Sequence, residues 1–143
     1  MSRGRHRPTG GGLDANHHET ARANEGDGVA TFSAASYGVP CFDLVCFDPI
    51  AVQASYLLEV KDGSKPASRR RLTESEWRFA ARWPGPLAIV CSEQERRAAV
   101  EDARRGRMRS AREAAESYRD ATEPGWRQRD VLKLAGAALG GGR

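Results

Sequence analysis

Apolar positions in this chain fall into short runs separated by glycine, proline and charge, and the spacing within each run predicts an alternation of helices and strands. A short helix is expected from Leu13, with Asp14 as N-cap, Ala15, Glu19, Ala21 and Ala23 as helix formers, and an end before Gly26, Asp27 and Gly28. Residues 29–33 are rich in strand formers, and Tyr37, Gly38, Val39 and Pro40 read as a turn. A strand over residues 42–47 is broken by Asp48 and Pro49. A second strand spans residues 55–61, where Tyr56, Leu57, Leu58 and Val60 imply burial on both faces.

After Asp62 and Gly63 the chain is too basic, and too broken by Pro66, to be core, so residues 64–71 are expected as a surface loop. Thr73 followed three residues later by Glu76 is a capping box, opening a helix that presents Trp77, Ala80 and Ala81 on one stripe before Pro84 and Gly85 stop it. Residues 87–91 form an apolar run of strand length, and Ser92 with Glu95 opens another helix. The resulting order is α-β-β-β-α-β-α. A last strand reached through a helix implies a parallel neighbour, so an α/β fold with a central mixed four-stranded sheet flanked by helices is predicted. Three divisions follow: a flexible basic arm over residues 1–12, a body over 13–105, and an alanine- and arginine-rich, helical or partly disordered C-terminal tail over 106–143, whose docking is left open.

Composition narrows the function classes. The chain has 143 residues, 39% of them hydrophobic, and no apolar run approaches the roughly 20 residues of a membrane-spanning helix. No apolar core follows the basic start, as a secretory leader would need, so a soluble cytoplasmic protein is expected. Cys41, Cys46 and Cys91 lack metal-ligand spacing and read as buried thiols. The net charge of +4 is unevenly spread: residues 13–64 carry two basic against eight acidic groups, and residues 65–82 carry six against two. An acidic block followed by a basic one suits a cation site beside a phosphate-holding surface, although solvated charge would give the same counts.

The candidate chemistry lies on the second strong strand. Glu59 and Lys61 sit two residues apart, so their side chains leave the same face, roughly 6.5–7 Å apart at the α-carbons. Asp43, on the preceding strand, would be brought alongside Glu59 by a hairpin. Asp48 is the alternative, but Pro49 follows it directly and suits a paired strand poorly. Two carboxylates are what a hard divalent ion such as Mg2+ or Mn2+ accepts while keeping waters and room for a phosphate, and a neighbouring lysine can contact that phosphate. Glu19, on the first helix, is a candidate further carboxylate. A simple salt bridge among Asp43, Glu59 and Lys61 would need no metal. Lys65, Arg69, Arg70 and Arg71 follow within ten residues of Lys61 and could hold backbone phosphates without reading bases. Trp77, Phe79 and Trp83 read as core packing, and His6, His17 and His18 as solvated histidines.

Residues 57–63 (LLEVKDG), 64–73 (SKPASRRRLT) and 83–90 (WPGPLAIV) resemble the small PD-(D/E)XK nucleases of phages and bacteria, in particular the Holliday-junction-resolvase-like and VRR-NUC-like group. The resemblance covers about residues 13–100. It implies a restriction-endonuclease-like core, with residues 13–105 as the nuclease domain. It also implies Asp43 and Glu59 as metal ligands, Lys61 as the catalytic lysine, Glu19 as the helix-borne acid, and Glu76 as the polar residue on the helix after the basic loop. The activity it implies is Mg2+- or Mn2+-dependent cleavage of DNA, with branched DNA as substrate. A two-fold symmetric junction would favour a homodimer, and a phage-encoded enzyme would act in the host cytoplasm. The alternatives are a non-catalytic nucleic-acid-binding module and an interaction protein acting through the tail.

Overall fold

The computed structural model describes residues 15–34 and 42–140. The expected N-terminal arm, the turn at residues 37–40 and Cys41 lie outside the described residues. Helix α1 (Ala15–Gly26) leads into strand β1 (Ala30–Ser33), then β2 (Leu44–Phe47) and β3 (Ser55–Val60). A 3-10 turn (Ala67–Arg69) and helix α2 (Glu74–Arg82) carry the chain across to β4 (Leu87–Val90), which is followed by α3 (Glu93–Arg104), α4 (Ala111–Thr122) and α5 (Trp126–Gly140).

The four strands lie side by side in the order β1-β2-β3-β4. The first two pairs are antiparallel and β3 with β4 is parallel, with Leu44 opposite Leu58 and Glu59 opposite Ile89. This is the mixed open sheet that the helix between β3 and β4 implies. Alternation along β3 splits the core. Tyr56 and Leu58 join Leu44, Cys46, Val90 and the α3 residues Ala99, Val100 and Ala103 on one side, while Leu57 joins Phe42, Ala80, Leu87, Ala111 and Ala115 on the other. Glu59 and Lys61 share the parity of Leu57, which faces α2.

Local chemistry explains the helix starts. Thr73 and Glu76 form the full capping box: the Glu76 N–H donates to Thr73 Oγ1 at 3.2 Å, and the Thr73 N–H to Glu76 Oε2 at 2.7 Å. At α3 the Ser92 hydroxyl accepts from Glu95 N, but the Glu95 carboxylate takes the N–H of Cys91, one residue before the cap. Phe79 lies between Phe42 and Trp83, and Trp77 meets Trp126 edge-on, so Trp77 and Phe79 pack against the core as expected, whereas Trp83, past the end of α2, stays exposed on the outer side of Phe79.

The start of the tail is part of the body. Ala111 and Ala115 are fully buried, and Ala111 N donates to Gly85 O, so α4 packs against β4 and α2. The small alanine side chains let this helix approach closely. Trp126 is buried at the start of α5, but further along that helix Val131, Leu132 and Leu134 are exposed. No helix of the described residues is long and apolar enough to cross a membrane.

Candidate active site

The site residues gather where β3 and β4 end, near the first turns of α1, α2 and α3. Asp43 stands one residue before β2, just past the Leu44–Leu58 pair, where the ladder has no further strand carbonyl for the N–H of Val60. Asp43 Oδ2 takes that N–H at 2.8 Å, completing the ladder with a side chain. Glu59 is 3% exposed, and Lys61 Nζ lies 3.0 Å from its Oε1. Lys61 also donates to both oxygens of Glu76, at 3.0 and 2.9 Å. Glu76 thereby caps α2 and holds the lysine with one carboxylate.

His17 Nε2 lies 3.1 Å from Asp43 Oδ2, with both side chains largely shielded from solvent. The sequence reading placed this histidine in solvent. The signal that finds it is the helical stripe His17, Ala21, Asn24, in which Ala21 packs on the core and Asn24 is fully buried.

Asp43, Glu59 and Glu76 face one ammonium and one imidazole. Burial, then the charge of Asp43, then that of Glu76 push the Glu59 carboxyl up to about 9, against the opposing pull of Lys61. Burial pushes Lys61 down, but Glu59 and Glu76 outweigh it and hold the amine above its ordinary value.

Asp43, Glu59 and Lys61 therefore come together, and Glu19 meets only the lysine side of the group. It is exposed on α1 and lines a cleft of about 260 Å3 with Lys61, Ser64, Cys91 and Ser92. The floor of this cleft requires Gly63, where any Cβ would run into the carbonyl oxygen of Cys91. A roomier cavity of about 390 Å3 lies over β4 between α3 and α4, but it adjoins none of the three converging side chains. The chemistry is therefore assigned to the smaller cleft and the acids behind it. Asp48, the alternative acid, is fully buried and bound by Arg104 Nε at 2.7 Å, so it serves the fold.

The basic loop divides. Arg69 is exposed and has no acid in reach among the described residues, and Lys65 is loosely paired with Asp62 at 4.0 Å. Arg70 turns back, donating to Lys65 O at 2.9 Å and to Cys91 Sγ at 3.3 Å, and the Tyr118 hydroxyl donates to its carbonyl. Arg71 donates to Thr122 O. Arg70 and Arg71 thus tie the loop to β4 and α4, leaving Arg69 and Lys65 as the side chains available to a phosphate.

Among the described residues no group of three or more His, Cys, Asp or Glu side chains is arranged to hold a metal ion. Two carboxylates, Asp43 and Glu59, are enough for a hard cation that keeps water and substrate phosphate as its other ligands. The charges of Asp43 and Glu76 push the Glu59 carboxyl up, and a cation held between the acids would act in the opposite direction. No protein-family model, no curated protein and no solved structure matches the chain.

Proposed function

We propose that the chain is a metal-dependent endodeoxyribonuclease of the PD-(D/E)XK type, hydrolysing phosphodiester bonds in DNA with Mg2+ or Mn2+ held by Asp43 and Glu59. The observation that carries this reading is the meeting of Asp43, Glu59 and Lys61 at the ends of adjacent strands. The bound ion would supply an activated water and neutralise charge developing on the phosphoryl oxygens. Lys61 adds a fixed positive charge beside the cleft, and Glu76 aims it. Arg69 and Lys65, on the loop that follows Lys61, would supply sequence-independent grip on the backbone. Preference for branched DNA, a homodimer and action in the cytoplasm accompany the proposal through the resemblance alone.

A second reading, a nucleic-acid-binding module without catalysis, is favoured by one observation: Lys61 already closes on Glu59 and Glu76, so the acids have a partner without any metal. Incubation of supercoiled and four-way-junction DNA with Mg2+ or with EDTA separates the two. The nuclease reading expects product only with metal, and expects Glu59→Ala and Lys61→Ala each to lower the rate by about 1,000-fold while binding in EDTA persists. Normal cutting by both variants would remove the site assignment. Binding without product at any metal concentration would establish the second reading.

A further inference from the structure

We infer that His17 is a positioning residue for the Asp43 carboxylate, an inference that rests on the metal-dependent reading above. Asp43 lies outside the regular ladder, so nothing in the strand itself sets its side-chain torsions. Two groups set them instead: the Val60 N–H at 2.8 Å and the His17 imidazole at 3.1 Å, both on Oδ2. This leaves Oδ1 without a hydrogen bond among the described residues, as the oxygen open to a cation.

The helix that carries the imidazole is itself fixed to the sheet. His17 shares its helix face with Ala21 and Asn24, and Asn24 Oδ1 accepts from the buried Arg96 of α3 at 2.9 Å. The stripe that carries the histidine is therefore pressed to the sheet by a network remote from the acids. Helix stability does not account for the residue, because an imidazole in the first turn of α1 gains nothing from the positive end of the helix dipole. A donor on one oxygen of a ligating carboxylate commonly sets both its orientation and its affinity for metal.

The test uses the full chain, with Mn2+ binding followed by calorimetry, nicking of plasmid DNA titrated with Mn2+, and DNA binding in EDTA. His17→Leu and His17→Ala remove the imidazole in two ways, so that a folding defect in one leaves the other to report. His17→Gln keeps a nitrogen for Asp43. Each removal is expected to weaken Mn2+ binding about tenfold and to raise the Mn2+ needed for half-maximal nicking equally, with His17→Gln recovering most of the loss and DNA binding in EDTA unchanged. If the wild-type chain binds Mn2+ and cuts, and the removal variants match it, the inference alone falls. If the wild-type chain neither binds Mn2+ nor cuts, the reading of the site falls and the inference with it.

Discussion

At opposite ends of β2 two aspartates meet different fates. Asp48 is enclosed by the fold: Arg104 binds one oxygen at 2.7 Å, and the N–H of Ile50 reaches the other at 3.2 Å. Next to it, Arg96 is 2% exposed and donates to Asn24, Asp27 and Glu93 together, joining α1 to α3. Its hydrogen bonds hold the Glu93 carboxyl below the usual range. In this region each acid has a guanidinium. Around Asp43, by contrast, three acids share one ammonium and one imidazole, and burial with the charges of Asp43 and Glu76 pushes the Glu59 carboxyl up to about 9, so that it stays protonated at neutral pH. Matched buried charge is what secures a helix to a sheet, whereas a buried acid with too little opposite charge around it keeps its proton.

The comparison can be tested at both ends. The largest effect is expected at the matched end: Arg96→Ala leaves Asn24 buried without its guanidinium donor and Asp27 without its partner, while Glu93 keeps Arg97. Because both acids are half exposed, the loss is discounted to about 3 kcal/mol in urea unfolding, independent of metal. A loss under about 0.5 kcal/mol would mean that the network merely decorates the core.

At the unmatched end the sign reverses. The folded chain holds the Glu59 proton to about 9, and the unfolded chain releases it near the ordinary 4.5, so between these values the folded state binds more protons and stability declines as pH rises. Glu59→Gln removes that slope. It should raise stability at pH 8 by about 1–3 kcal/mol and leave it nearly unchanged at pH 4, as read from thermal melts in EDTA. Destabilisation at pH 8 would show that Glu59 is as well compensated as Glu93, and the contrast would fail.

The smallest effect concerns the loop. Arg69→Ala should weaken DNA binding a few-fold and lower the log–log salt slope by about 1, uniformly across sequences. Arg70→Ala should instead lower the melting temperature with little change in that slope. Interchanged results would mean that the inward contacts of Arg70 give way to phosphate.

How much of this could be read in the chain depends on the range of the interaction. The Thr73–Glu76 box, the end of a strand at Asp48, the end of a helix before Pro84, and the shared face of Glu59 and Lys61 all follow from groups a few residues apart. The crossover from β3 to β4 followed from a helix lying between two apolar runs. His17 was harder to place because a half-polar stripe on a short helix resembles a solvated face until its partner, Asp43, is known. Arg70 was indistinguishable from Arg69 because identical side chains differ only in what folds against them. The docking of α4 was hidden for a related reason: alanine carries almost no hydrophobic signal, yet fits where two backbones come close.

The order of helices and strands, the caps, and the placing of one acid and one lysine on a common face were determined by the sequence itself, since backbone geometry and side-chain alternation act over a turn or a pleat. Which acids went to the fold and which were left in excess was decided only by the tertiary structure. Burial and the position of opposite charges set the energy of an ionised group, and both come from segments distant in the chain.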